Sequence, residues 1–205
     1  MRIAIFVQIL NHKTMFQANI TNQELEELPI KVFDGEIIVI DDINKVKPAV
    51  DYLSKSTLLG FDTETRPSFV KGKKHKVALM QLSNGERAYL FRLTATKIPE
   101  DLIKLLEDGS IIKVGAAIRE DLRALNNLKH FTPVGFIDLQ AIVKKYGIME
   151  MSVRKLAAIV LGIRISKAQQ LSNWENEELS DAQQRYAATD AWVCREVYIK
   201  LQGSL

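Results

Sequence analysis

The stretch Leu58–Thr65 constrains the fold more than any other part of the sequence, because it joins a strand-like apolar run to two acids. Its first four residues are apolar or small, and they lead directly into Asp62 and Glu64. Side chains at positions i and i+2 of a strand point to the same side, so we expect both carboxylates to converge beside the core. Such carboxylates repel each other and are costly to desolvate, and a hard divalent cation would remove that cost. On this stretch alone, two solvated acids at a strand end are the better interpretation.

The composition excludes several classes of protein and predicts one globular domain. The 205 residues suffice for one sizeable core, and a hydrophobic content of 47% argues against disorder. The lone Cys194 excludes a disulfide framework and a cysteine-based zinc cluster, and it fits a reducing, cytoplasmic location. The net charge of +3 permits a polyanionic partner without requiring one. Met1–Leu10 is apolar but too short to span a membrane, and Met15 is an alternative start to Met1.

The order of the predicted elements indicates an α/β fold. Residues 1–56 are predicted as an N-terminal cover: a helix opened by a capping box at Thr21, a hairpin across Asp34–Gly35 and a second helix. Residues 57–205 then form the main domain. It begins with three consecutive antiparallel strands, continues with alternating helices and strands, and ends with a long helix opened by a capping box at Ser180. This order predicts a mixed sheet with helices on both faces.

Two of the predicted helices each place an acid on the side that faces the core. In the last helix, Asp190 lies in the middle of the apolar stripe, and Tyr186 lies one turn before it. In the helix that starts near Ile118, Asp121 falls within the arc of the apolar stripe, whereas Glu120 points elsewhere. A single buried aspartate is most often satisfied by an arginine or by backbone amides. Four inward carboxylates without matching buried bases are better explained by a two-metal site.

These acidic segments resemble the three-motif signature of the DEDD-type 3′–5′ exonucleases. The matching segments are Phe61–Glu64, Gly115 with Arg119–Leu122, and Tyr186–Asp190. A tyrosine four residues before the last aspartate is typical of the tyrosine-bearing (DEDDy) branch, which includes RNase D and the exonuclease domain of the Werner syndrome protein. The resemblance extends from about Leu58 to Leu201, and it includes Ser172–Trp174 before the last helix.

The resemblance implies an RNase H-like fold with a five-stranded mixed sheet and a site for two Mg²⁺ or Mn²⁺ ions. The implied ligands are Asp62, Glu64, Asp121 and Asp190. Such a pair of ions activates a water molecule and stabilises the departing 3′ oxygen, and the product would be a nucleoside 5′-monophosphate. Tyr186 would orient the water rather than accept its proton, since a free tyrosine has a pKa of about 10. The implied partner is the 3′ end of DNA or RNA.

Further residues near the acids are predicted to contact the substrate. By analogy with the family, the terminal nucleotide would pack against the backbone at Thr63 and against side chains near Thr65 and Met80. A basic segment after the central strand contains Lys73 and would hold the phosphate backbone, although a solvated hairpin tip explains its charges equally well. Lys167, which precedes the last helix, would contact the nucleic acid or simply cover the sheet.

Two other functions account for part of the pattern. A nuclease-inactive nucleic-acid-binding domain would keep the fold, but it would be expected to lack one of the acids, and all four are present with the tyrosine. A carboxylate-pair hydrolase, such as a glycosidase, needs two acids and leaves Asp121 and Asp190 unexplained. The sequence does not distinguish DNA from RNA as substrate, nor a chain that acts alone from an oligomer or a complex with a protein partner.

Overall fold

The fold was obtained as a computed structural model, which describes residues 16–70, 72 and 74–204. The strands of the described part are β1 Glu36–Ile40, β2 Leu58–Thr65, β3 Val77–Ser83, β4 Arg87–Arg92, β5 Ile112–Gly115 and β6 Phe136–Asp138. They form one mixed sheet in the order β1-β4-β3-β2-β5-β6. The meander β2-β3-β4 is antiparallel, as predicted, and the pairs β1–β4, β2–β5 and β5–β6 are parallel. The alternative starts Met1 and Met15, and the predicted substrate contact Lys73, lie outside the described residues.

The sheet has six strands in the described part of the chain rather than the predicted five, because β1 joins its edge. The hairpin predicted across Asp34–Gly35 is wrong. Ile30 forms only an isolated bridge with Arg164, and β1 pairs in parallel with β4. The segment before β1 packs against the last helix instead of pairing with β1. Phe33 is completely buried, and its backbone N–H donates a hydrogen bond of 2.9 Å to the hydroxyl of Thr189 in that helix. The Asp34–Gly35 pair, which is typical of a hairpin turn, therefore lies here between two segments that do not pair with each other.

Helices pack on both faces of the sheet, as predicted. The α-helices are α1 Asn22–Glu27, α2 Ile43–Leu53, α3 Leu93–Thr96, α4 Glu100–Glu107, α5 Arg119–Leu128, α6 Leu139–Ile142, α7 Val153–Leu161 and α8 Asp181–Gln202, with a 3₁₀-helix at Val143–Tyr146. Along β4, Tyr89 belongs to a core cluster that includes residues of α2 and α4, whereas its neighbour Leu90 packs in a cluster with α8. Successive side chains of a strand point to opposite faces, so the two clusters lie on opposite sides of the sheet.

Local signals at the helix ends are confirmed. Both predicted capping boxes are formed, by Thr21 at α1 and by Ser180 at α8. No helix in the described ranges combines the length and apolarity needed to cross a membrane. The division of the chain near residue 56 stays a prediction, although β1, which precedes this point, is hydrogen-bonded into the main sheet.

Candidate active site

The acids of the central strand meet an acid of the last helix. Asp62 and Glu64 lie on β2, where both are half-buried, and the almost completely buried Asp190 lies on α8. One carboxylate oxygen from each of these three residues lies within 4.8 Å of the other two. All the ligand atoms on offer are carboxylate oxygens, which are the donors that hard divalent cations prefer. The residues therefore fit a divalent cation.

A glycine allows the strand and the helix to approach closely enough for this convergence. Gly60 lies two residues before Asp62, and its Cα faces the backbone of Ala191 on α8. A Cβ at Gly60 would lie 2.7 Å from the carbonyl carbon of Ala191 and still closer to its oxygen. Sequence reasoning missed this role. The available signal was a lone glycine inside an otherwise apolar strand, which often marks a close approach of another backbone.

The fourth acid is joined to the central strand through a hydroxyl group. Asp121 lies in the first turn of α5, where the helix dipole favours a negative charge. The Oγ1 of Thr63 on β2 donates a hydrogen bond to Oδ1 of Asp121. Asp121 therefore lies beside the three converging carboxylates without being one of them. Thr63, predicted as a substrate contact, orients this acid in the structure.

Burial raises the pKa of every acid in the site, and neighbouring negative charges add to the effect at Asp62, Glu64 and Asp121. The pKa of Glu64 rises from 4.5 to about 10, first through burial and then through the charge of Asp62 and of the other acids. Burial raises the pKa of Asp190 to about 7, and a hydrogen bond with Tyr186 opposes the rise. The pKa of Asp62 and that of Asp121 are also raised, again mainly by burial. A metal-free site therefore retains protons at neutral pH, and a bound cation would displace them.

Tyr186 is fixed between the acids and a buried indole. Its ring lies against the completely buried Trp174, with the ring centroids 6.0 Å apart, and its hydroxyl interacts with Asp190. Burial and the charge of Asp190 raise the tyrosine pKa well above its ordinary value. Tyr186 thus keeps its proton and acts as a hydrogen-bond donor. Trp174 supports this side chain, a role that the sequence indicated only through its position in the Ser172–Trp174 segment.

A cavity of about 270 Å³ opens over the three converging acids. Lys167 lines it together with Asp62, Glu64, Tyr186 and Asp190. The structure thus brings this predicted substrate contact to the acids.

Two other predicted substrate contacts lie in different environments. Thr65 is exposed at the end of β2. Met80 is completely buried in the core, and the structure offers no surface through which its side chain would touch a nucleotide.

The fold and the site place the chain in a known family. The model of the 3′–5′ exonuclease family matches residues 37–205. The chain belongs to this family, and the resemblance to the tyrosine-bearing DEDD exonucleases is confirmed.

The individual relatives agree with this assignment. The chain is 38% identical over 148 residues to the exonuclease 3′–5′ domain-containing protein 2 of Drosophila melanogaster, covering 70% of this chain and 25% of the relative. It is 32% identical over 186 residues to the bifunctional 3′–5′ exonuclease/ATP-dependent helicase WRN of Mus musculus, covering 86% of this chain and 13% of the relative. The crystal structure of the Aedes aegypti Nibbler EXO domain superposes with a TM-score of 0.74 at 22% identity, covering 86% of this chain and 92% of that one. The chain thus spans a quarter or less of the two relatives.

Proposed function

We propose that this protein hydrolyses the last phosphodiester bond at nucleic-acid 3′ ends and releases nucleoside 5′-monophosphates with the help of two divalent cations. The observation that carries the proposal is the convergence of Asp62, Glu64 and Asp190 within 4.8 Å, with Asp121 held next to them by Thr63. Buried carboxylates with a raised pKa are stabilised either by protons or by cations. The proposed reaction requires cations at these carboxylates.

The four acids would hold the two ions, Mg²⁺ or Mn²⁺. When bound, such ions lower the pKa of a water molecule and neutralise the charge that develops on the leaving 3′ oxygen. Asp121 keeps its second carboxylate oxygen available, because the hydroxyl of Thr63 contacts only Oδ1.

The remaining side chains would position the reactants. Tyr186 would donate its hydroxyl hydrogen bond within the site and orient the attacking water, since its raised pKa makes it a poor base. Lys167 would bind a phosphate oxygen in the cavity. Further candidates for contacts with the strand are the exposed Thr65, the backbone of Thr63 and the basic segment that contains Lys73. A cytoplasmic location and either DNA or RNA as substrate remain parts of this proposal.

The test is a nuclease assay on 5′-labelled single-stranded DNA, recessed 3′-end duplex and single-stranded RNA, each with Mg²⁺ or Mn²⁺. We expect a ladder that shortens from the 3′ end by one nucleotide at a time, and no ladder in EDTA or with Asp190→Asn. Asp190→Asn keeps the shape of the side chain and removes one negative ligand, so its melting temperature serves as the folding control. A folded wild-type protein that cleaves none of the substrates would refute the proposal and favour a nuclease-inactive binding domain.

A further inference from the structure

Basic and hydroxyl side chains line the same cavity as the acids. Arg154 in the first turn of α7 lies there with the hydroxyl-bearing residues Ser152 and Ser166, next to Lys167. The side chain of Arg154 is 24% exposed, and the residue is part of the cavity lining. This cavity suits a ligand with two negatively charged groups. One group would bind cations held by the acids, and the other would bind the guanidinium of Arg154.

A carboxylate from the N-terminal segment holds Arg154 in place. Glu26 on α1 accepts a hydrogen bond from Nη2 of Arg154 at 2.6 Å, and its other oxygen pairs with Arg164. One carboxylate is thus shared by two guanidinium groups, and the trio keeps one net positive charge. A guanidinium has five N–H donors; the bond to Glu26 uses one at Nη2, and the N–H at Nε is buried, so the donors left for a ligand are on Nη1 and Nη2.

Contacts other than the one made by Arg154 also attach α1 to the rest of the protein. The backbone of Arg164 already makes two hydrogen bonds of 2.9 Å with the segment after α1, to the carbonyl of Pro29 and from the N–H of Lys31. The Arg164 side chain pairs with Glu26 in addition. Arg154 therefore adds to an attachment that Arg164 already makes, and its position at the cavity allows a second role.

We propose that Arg154 binds the phosphodiester group immediately 5′ of the scissile one, and that Glu26 positions its guanidinium for this contact. The inference rests on the proposed function, because it takes the ligand to be a nucleic-acid 3′ end. The scissile phosphate is the last phosphate of such a strand, and it must lie at the acids with their cations. Any second phosphate in the cavity must come from the 5′ side. A planar guanidinium matches two phosphate oxygens at once, which a lysine does not.

Equilibrium binding tests this contact without relying on cleavage. Fluorescence anisotropy in EDTA would compare a labelled single-stranded oligonucleotide with the same strand carrying a neutral methylphosphonate at the linkage 5′ of the last one. We expect Arg154→Met to weaken binding of the unmodified strand by about 10- to 100-fold, as for a charge-assisted hydrogen bond. The same substitution should change binding of the methylphosphonate strand by less than about twofold, because the contacted charge is already absent.

Two further variants separate a specific contact from general electrostatics. Lys155→Met removes the same charge from the next position of α7, where Lys155 pairs with Glu150 at 2.7 Å, and it should leave both affinities within about twofold. Glu26→Gln makes the trio more positive, so a general electrostatic effect would tighten binding. A positioning role predicts that binding instead weakens by about threefold.

The outcomes are distinct. Equal losses on both strands with Arg154→Met, or tighter binding with Glu26→Gln, would overturn the assignment, and so would a wild-type protein that binds neither strand. Arg154→Lys should show an intermediate affinity, and it gives a second measurement if Arg154→Met lowers the melting temperature. A protein that binds as expected but cleaves nothing would refute the proposed function alone.

Discussion

The contact between Gly60 and α8 leads to a prediction about both stability and activity. In Gly60→Ala, the new methyl carbon would lie 2.7 Å from the carbonyl carbon of Ala191, where ordinary van der Waals contacts begin at 3.4 Å. The obstacle is backbone in the interior of a long helix, so it cannot turn away as a flexible side chain does. The strand and α8 must therefore separate by about 1 Å.

The size of both effects follows from this displacement. Overpacking a core costs about 1–3 kcal/mol, and a rigid backbone neighbour places Gly60→Ala at the upper end. About 3 kcal/mol corresponds to a fall in Tm of about 6–12 °C for a chain of this length. Since α8 carries Asp190, the shift would also move one metal ligand away from the acids of β2. A displacement of 1 Å in a catalytic group can cost about 100-fold in rate.

The assay pairs thermal unfolding with the 5′-labelled nuclease assay. Gly203→Ala is the matched control, because the new Cβ would meet its nearest neighbour, the carbonyl oxygen of Ile199, at an ordinary 3.5 Å. A Gly60→Ala protein as stable and as active as Gly203→Ala would show that close approach of α8 to β2 is not what assembles the site.

Two further predictions concern the protons of the site. The pKa of Glu64 is about 10 in the folded protein and 4.5 in the unfolded chain, so the folded state binds more protons between these two pH values. The Tm of the metal-free protein should therefore fall as the pH rises through this window. Glu64→Gln or added Mn²⁺ should reduce this fall, and an equal pH dependence in EDTA for the wild type and the variant would contradict the assignment. Tyr186→Phe should lower kcat by about 10- to 100-fold with little change in KM, since the tyrosine orients a water molecule; a loss beyond about 10⁴-fold would instead indicate a general base.

The candidate site was largely predictable because its residues follow local rules. Asp62 and Glu64 converge because alternate strand positions share a side, and Asp190 and Tyr186 share a helix face one turn apart. The structure places all four in one cavity. The contact between Thr63 and Asp121 was not predictable. The alternation of side chains along a strand does not indicate which helix packs beside the end of that strand.

The sequence by itself determined the elements that depend on neighbours a few residues away. The capping boxes at Thr21 and Ser180, the acid-bearing strand and the amphipathic last helix all follow from short-range hydrogen bonds and side-chain periodicity. Only the tertiary structure decided that β1 joins the sheet, that Gly60 admits α8, and that Glu26 reaches Arg154. These contacts join positions tens to more than a hundred residues apart. They are set by shape and charge complementarity between packed elements, which no local pattern of the sequence encodes.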